Sequence, residues 1–312
     1  MIINYTTTII IFISLHISIL LSAQHHNIRQ WQANYSFTNP ALTGIAINPR
    51  ISASYQQIFP AVQTGLNTYK LDYDQQISAN AGFIGASLLQ DLTSEVMTRK
   101  VAGMQYAYEF KLNDDIMLRT GVSLAYVYLD IDSSKFRSST RENADDKQGG
   151  HYGGGAMLTY KNVYAGFALH NFSQSLAPAN SLGKKALISD YSTQLGGFFH
   201  LQKRNPKSLV LAPYLLVYGK PKLVGLAPGI NVNKGILTGG LSYRSYNYGD
   251  ALSFLAGVSK GWFKAGYTYD ISIPNARSVW AASHELTFTV YPGRLRDGTD
   301  AGLPNYFRKM GF

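Results

Sequence analysis

Histidines are the side chains of this sequence most suited to holding a metal ion. His25 and His26 are adjacent and form a weak candidate for a transition-metal pair. The chain has no cysteine, which excludes thiolate metal sites, disulfides and cysteine nucleophiles together. The other histidines beyond residue 23 occur singly, without Asp, Glu or His at ligand spacing, and the sequence therefore predicts no metal site: His151, His170, His200 and His284.

Two further stretches have the composition of ligand sites but lack the spacing. Acidic residues between 130 and 146 are interleaved with Lys and Arg and do not match a calcium-binding loop. The glycine-rich stretch 149–155 matches no nucleotide-binding motif, and no helical pattern follows it. A G-x-S-x-G motif does not occur. We therefore predict no catalytic residue, no cofactor and no enzymatic activity.

The basic charge of the chain does not indicate a nucleic-acid partner. Lys and Arg number 28 against 18 Asp and Glu, a formal charge of +10, but no basic run exceeds a few residues. Tyrosines lie toward predicted strand ends on the apolar side, where rings at a lipid–water interface form belts. We predict contact with outer-membrane lipid and none with nucleic acid. The predicted belt residues are Tyr106, Tyr108, Tyr126, Tyr128, Tyr267, Tyr269 and Tyr291.

Apolar and polar residues alternate with a period of two through most of the chain. Between Ile116 and Tyr128 the even-numbered positions are mostly apolar, whereas the odd-numbered positions include Arg119 and Ser123. A lipid-facing barrel wall has this pattern, because apolar side chains point outward and polar or small ones point inward. Charged residues make up only 15% of the chain, against roughly 25% in soluble domains, which agrees with a barrel in lipid.

Fourteen strands of this kind follow one another, and most are close to the length of about 9–11 residues that a tilted strand needs to cross a membrane. The predicted strands are 50–58, 65–75, 79–90, 98–110, 116–129, 153–160, 162–171, 190–201, 208–218, 221–231, 235–246, 249–259, 261–270 and 283–291.

The connections between these strands predict a closed barrel. Every even-numbered connection is short, and the long ones, 130–152, 172–189 and 271–282, are all odd-numbered. An even strand count with long connections on one side is typical of an outer-membrane barrel. We therefore predict an all-β fold, a transmembrane antiparallel β-barrel of about 14 strands. Wall side chains alone do not fill a lumen of that width, so we expect the N-terminal segment, loops, water or a partner peptide inside it.

The chain divides into four predicted segments. Residues 1–23 carry an apolar core too short for a spanning helix, which predicts a cleaved export signal. No Lys or Arg precedes that core, so an uncleaved anchor is the alternative. Residues 24–49 form a leader or plug segment, residues 50–291 the transmembrane barrel, and residues 292–312 a periplasmic tail.

Two short motifs bracket the predicted barrel and resemble one known family. The order G-Y-T-Y-D-I, followed after a loop by S-H-E-L, resembles the closing hairpin of the PorP/SprF family, outer-membrane proteins of the type IX secretion system of Bacteroidetes. Near the start, N-P-A-L-T-G resembles the family's opening N-P-A-x-x-G. We predict structural roles for the motif residues, which are Asn39, Pro40, Gly44, Gly266, Tyr267, Asp270, His284 and Glu285.

The resemblance implies a non-enzymatic, integral outer-membrane component of the type IX secretion system. Such a protein is expected to act as partner for the secretion or surface anchoring of a large adhesin or other cargo, as in gliding motility. Its expected partners are components of the secretion machine and the cargo itself. A porin or hydrophobic-solute transporter is the alternative, and a lipid-modifying barrel enzyme is a third possibility.

Overall fold

Each stretch of alternating residues forms an antiparallel strand in the computed structural model of the chain. The structure describes residues 31, 34–46, 48–58, 66–78, 80–92, 97–132, 147–174, 187–201, 209–220, 223–246, 249–273 and 282–292. A helix, α1 (Tyr35–Thr38), and a 3-10 turn (Pro40–Leu42) precede the sheet. Its strands are β1 (Arg50–Ile58), β2 (Leu66–Ser78), β3 (Gly82–Leu92), β4 (Met97–Lys111), β5 (Ile116–Ile131), β6 (Lys147–Tyr160), β7 (Val163–Gln174), β8 (Leu187–Gly197), β9 (Phe199–His200), β10 (Val210–Lys220), β11 (Leu223–Lys234), β12 (Leu237–Tyr246), β13 (Gly249–Lys260), β14 (Phe263–Ile273) and β15 (Ser283–Val290).

The sheet closes into a barrel. Strands adjacent in the chain pair antiparallel, and β1 also pairs with β15, with Ile51 opposite Val290. β8 and β9 both pair with β10 and form one barrel strand interrupted at Phe198, so the barrel has fourteen strands, as the sequence predicts. The Phe198 backbone amide bonds to Asn162 O at 2.8 Å, so the ladder with β7 continues at this residue, and β8 and β9 keep the same register with β10. Closure leaves no unpaired edge, which a sheet in hydrocarbon requires.

The alternation sorts side chains onto two faces, as predicted. On β5, Val122 and Leu124 are 59% and 54% exposed, whereas Arg119 is 1% exposed. On β2, Tyr69 and Leu71 are exposed while the intervening polar side chains are buried. The outer face is therefore apolar, and the polar face points into the lumen.

The described connections confirm the predicted short side of the barrel. β4 and β5 are joined by 112–115, where Asn113 Oδ1 accepts hydrogen bonds from the backbone amides of Asp115 at 2.9 Å and Ile116 at 2.8 Å. This side-chain bond closes the turn, a role that Asn often has. The greater part of each long connection lies outside the residues that the structure describes. In the described part of the chain, no helix is long and apolar enough to cross a membrane.

One predicted belt residue is misassigned. Tyr291 is 4% exposed, and Lys264 Nζ lies 5.3 Å from the centre of its ring. In β15 the inward residues are odd-numbered, from Ser283 to Thr289, so the two-residue period itself places Tyr291 on the inner face. Tyr106, Tyr126 and the other exposed rings remain on the outer face.

Candidate functional site

A segment from the N-terminal part of the chain lies inside the barrel. We call residues 31 and 34–46 the luminal segment. Its polar contacts reach β1, β2, β5, β6, β7, β8 and β15, and all of them involve inward-facing groups or backbone of the wall. The segment therefore occupies the lumen between opposite walls.

The local sequence explains the fold of the luminal segment. Asn39 ends α1, and its Oδ1 accepts a hydrogen bond from the Ala41 amide at 3.0 Å, which caps the 3-10 turn. Pro40 occupies the first position of that turn, where its missing amide hydrogen costs nothing. The motif N-P-A thus encodes a capped turn inside the barrel.

The Asn39 side chain also binds this turn to the barrel wall. Its Nδ2 donates to Gln194 Oε1 at 3.0 Å and to Ala156 O at 3.2 Å. Asn39 is fully buried, so each of these bonds satisfies a group that water does not reach. The side chain connects the turn to β6 and β8.

Three wall side chains converge on the Thr38 carbonyl at the end of α1. Ser192 Oγ donates to it at 2.5 Å, and Gln194 Nε2 lies at 3.4 Å. His170 Nε2 lies 2.6 Å from the same oxygen, so this nitrogen carries the proton. The last carbonyls of a helix have no partner within the helix, and here the barrel wall supplies the donors.

Arg119 holds the next part of the luminal segment. Its Nε donates to Ala41 O at 2.8 Å and its Nη2 to Thr43 O at 2.6 Å. Nη1 bonds to Glu109 Oε2 at 2.8 Å, which compensates the charge, and the guanidinium lies 4.1 Å from the centre of the Phe83 ring. Bonds from a charged donor are roughly twice as strong as neutral ones. Arg119 therefore ties the segment to the wall through two charge-assisted hydrogen bonds.

On the opposite wall the luminal segment contacts β1, β2 and β15. Asn34 Nδ2 donates to Glu285 Oε1 at 3.1 Å, and Ser54 Oγ donates to Asn34 Oδ1 at 3.0 Å. Ser36 Oγ donates to Asp72 Oδ1 at 2.9 Å. Each of these wall groups is buried, so the contacts replace water as their hydrogen-bond partners.

Tyr35 lies against an ion pair at the β1–β2 hairpin. Arg50 Nη2 and Asp74 Oδ2 are 2.6 Å apart, and the guanidinium lies 4.1 Å from the centre of the Tyr35 ring. Burial raises the pKa of the Tyr35 phenol well above its ordinary value, while Arg50 acts in the opposite direction. The phenol therefore stays neutral and donates to Asp74 Oδ1 at 3.4 Å.

An apolar core also lies within the lumen. Fully burying a side chain such as Leu42 contributes about 1.5–3 kcal/mol. The core joins the luminal segment to strands from β5 to β11, so the segment is packed as well as hydrogen-bonded. Its residues are Trp31, Tyr35, Ala41, Leu42, Ile45, Met117, Met157, Tyr164, Phe198, Ala212, Leu216, Tyr218 and Ala227.

Close contact between the luminal segment and the wall explains why glycine occupies two positions. A Cβ on Gly121 would overlap the backbone of Pro40 and Ala41, so the wall has no side chain where the turn passes. Gly44 has a φ of +68°, and a Cβ there would also lie 2.6 Å from the Phe83 ring. The glycine of the opening motif thus follows from a backbone conformation that only glycine adopts easily at this position.

The structure separates the predicted motif residues into three environments. Asn39, Pro40 and Gly44 lie in the luminal segment, and Glu285 bonds to it. Asp270 Oδ2 is paired with Arg244 and accepts from Ser283 Oγ at 2.7 Å within the wall. Gly266 is an inward-facing position of β14. Their structural roles remain predictions.

The remaining pair of motif residues lies on the outer face. Tyr267 OH and His284 Nδ1 are 2.5 Å apart, and the rings of Tyr269 and His284 are 4.9 Å apart between centroids. His284 and Glu285 therefore point to opposite faces of the wall, as alternation predicts, and they form no acid–base pair. Among the residues that the structure describes, no three His, Cys, Asp or Glu side chains are grouped as metal ligands.

The wall residues that hold the luminal segment are not predictable from the sequence. Arg119 appears in the predicted inward set, but nothing in the sequence links it to residues 41 and 43. His170 is discounted as an isolated histidine, yet it bonds to Thr38 O. A charged residue on the inner face is the available signal, because it needs a buried partner there.

A closed antiparallel wall with an apolar outer face and a polar lumen defines an outer-membrane-type β-barrel. The profile of the family described as "Type IX secretion system membrane protein PorP/SprF" matches residues 20–290, and the chain belongs to this family. It is accordingly a type IX secretion system component, and both fold and family support the outer membrane as its location. No curated protein matches the chain.

Solved outer-membrane barrels share the architecture. The Ralstonia pickettii toluene transporter TbuX is 8% identical, with a TM-score of 0.50, and the match covers 83% of this chain and 93% of that one. The P. putida toluene transporter TodX is 10% identical, with a TM-score of 0.49, covering 83% and 94%. A Pseudomonas aeruginosa FadL homologue is 13% identical, with a TM-score of 0.46, covering 83% and 94%. At 8% identity the TbuX match shows the barrel fold alone.

Proposed function

We propose that this barrel is the outer-membrane partner of a large secreted protein, such as an adhesin, during its secretion or surface anchoring. The observation that carries the proposal is the luminal segment, which is bound to opposite walls by buried contacts. A porin keeps a water-filled channel, whereas this lumen holds a packed part of the chain. The outer face, the long connections and the rims are left as the surfaces for a partner.

The same proposal includes the route to the membrane and the orientation. Residues 1–23 direct export and are cleaved, and the mature N-terminus lies in the periplasm. Because the number of barrel strands is even, the start of β1 and the end of β15 lie on the same side of the barrel. The short turns lie on that side as well. The long connections then face the cell exterior, where a surface protein is anchored.

The tail contributes the contact with the secretion machine in this proposal. Residues 292–312 follow the last strand on the periplasmic side and carry Arg294, Arg296, Arg308 and Lys309. These cations suit an anionic surface of a periplasmic component. A variant without the tail is expected to assemble in the membrane but to lose secretion, and normal secretion by that variant would contradict this assignment.

Affinity purification from native outer membranes tests the partner directly. The protein carries a tag directly after residue 23, membranes are dissolved in mild detergent, and co-purifying chains are identified by mass spectrometry. We expect a very large surface protein or components of the secretion machine, both absent from an untagged strain. Recovery of the barrel alone, together with ion conductance of the purified protein in a planar bilayer, would contradict the proposal and favour a porin.

A further inference from the structure

A cavity of about 140 Å³ lies in the lumen, between α1 and the side of the barrel that carries the long connections. Ser36, Phe37 and Thr38 form its floor. Its walls come from the halves of β3–β8 and β10 on the side of the barrel where the long connections lie. The luminal segment lies on the opposite side, so a ligand would reach the cavity from the side of the long connections.

The size of the cavity limits what it can hold. An apolar cavity of about 150 Å³ accommodates a benzene molecule, so this one takes a single ring or a branched side chain. A ligand of that size is held by removal of its apolar surface from water. The side chains that offer apolar surface to it are Phe37, Leu89, Val101, Ala125, Leu216 and Tyr218.

The charges around the cavity are compensated within the wall. Arg99 interacts with Asp91 on the adjacent strand and with Asp190 from β8. Asp190 in turn lies opposite His170 in the β7–β8 ladder. A ligand therefore needs no charge of its own to balance the site, and an ionised ligand would lose hydration without meeting an uncompensated charge among the described residues.

From this geometry we infer that the cavity binds one uncharged, ring-sized apolar group presented from the side of the long connections. Two sources carry such a group, namely an aromatic side chain of an extended polypeptide and a free monocyclic aromatic compound. The floor of the site is Phe37 in α1, so binding also adds packing to the luminal segment. This site is independent of the secretion partner proposed above.

Fluorine NMR on the full chain in lipid nanodiscs tests the inference. The two probes are 4-fluorophenol and a glycine-flanked peptide with one 4-fluorophenylalanine, and empty nanodiscs give the lipid background. We expect saturable binding of at least one probe above that background. Saturation by the peptide alone identifies a polypeptide side chain as the source, and saturation by the phenol shows that the free ring suffices. Absence of saturable binding for both probes overturns the inference.

Two substitutions with opposite effects locate the binding. Ala125→Phe fills the cavity and is expected to weaken binding at least about tenfold, which is about 1.4 kcal/mol. Ala102→Phe adds the same ring on the outer face of β4 and is expected to leave the affinity unchanged. Leu89→Ala enlarges the cavity, so this variant is expected to bind the larger probe 6-fluoroindole more tightly than the unaltered chain does. This second variant keeps the test decisive if Ala125→Phe does not fold. If Ala125→Phe and Leu89→Ala both bind the probes with the affinity of the unaltered chain, the assigned location of the site is overturned.

Discussion

Replacing Arg119 by Met tests how firmly the luminal segment is held. Met keeps most of the apolar volume but removes the bonds to Ala41 O and Thr43 O. Hydrogen bonds to a charged group contribute about 1.5–3 kcal/mol each, so two of them give at least about 3 kcal/mol. Because about 1.4 kcal/mol changes an equilibrium constant tenfold, we expect the released state of the segment to become about 100-fold more populated.

A single cysteine reports this release, since the chain has no cysteine of its own. Thr43→Cys is suitable because Thr43 is fully buried and its Oγ1 has no hydrogen-bond partner. A maleimide reagent labels that position only when the segment leaves the wall. When opening is fast relative to labelling, the labelling rate follows the open population, so we expect it to rise about 100-fold in Arg119→Met.

Two controls separate release of the segment from general weakening of the barrel. Lys100→Met removes the exposed pair with Asp130, 3.4 Å apart, and should leave the labelling rate unchanged because exposed pairs contribute about 0–1 kcal/mol. Adding Glu109→Gln to Arg119→Met removes the uncompensated carboxylate and should not restore slow labelling. Labelling of Arg119→Met at the rate of the Thr43→Cys parent would refute the assignment of Arg119 as a tether.

Three further predictions concern the segment and the wall. Asn39→Ala loses the turn cap and the hydrogen bonds to Gln194 and Ala156, about 2 kcal/mol in total. Combined with Thr43→Cys, it should raise the maleimide labelling rate about 30-fold. An unchanged labelling rate would contradict the role of Asn39. Gly121→Val should displace the turn or prevent folding, measured by the heat-dependent mobility of the barrel in electrophoresis, whereas Gly239→Val, with open space around it, should behave normally. Leu124→Arg puts a charge on the lipid face and should lower the free energy of unfolding in lipid by about 2–4 kcal/mol. If Leu124→Arg lowers it less than Ser123→Arg does, the assignment of Leu124 to the lipid face is contradicted.

The barrel is predictable from sequence because its pattern is local. Alternation at a period of two identifies each strand, and most predicted bounds agree with the observed ones within two or three residues, as for β5, predicted at 116–129 and observed at Ile116–Ile131. The larger error at β6, predicted to begin at 153 and observed from Lys147, arises because Gly149 and Gly150 give no alternation to read. The break at Phe198 changes no register, since β8 and β9 pair with β10 as one strand, and it has no local signal in the sequence.

The site is less predictable because its contacts join distant parts of the chain. Asn39 bonds to Gln194, and Asn34 bonds to Glu285, across 155 and 251 residues. The sequence indicates that the lumen needs content and predicts structural roles for Asn39 and Pro40. It does not show which wall residues face these two, since this depends on strand tilt and register around the whole barrel.

The conductance of the purified chain in a planar bilayer tests most directly whether the luminal segment closes the barrel. The unaltered protein and a variant lacking residues 34–46 are compared after electrophoresis has shown that both are folded. We predict that the unaltered protein conducts little or no ion current and that the deletion variant forms stable open channels. Equal, large conductance of the two proteins would contradict the account of a barrel closed by its own chain.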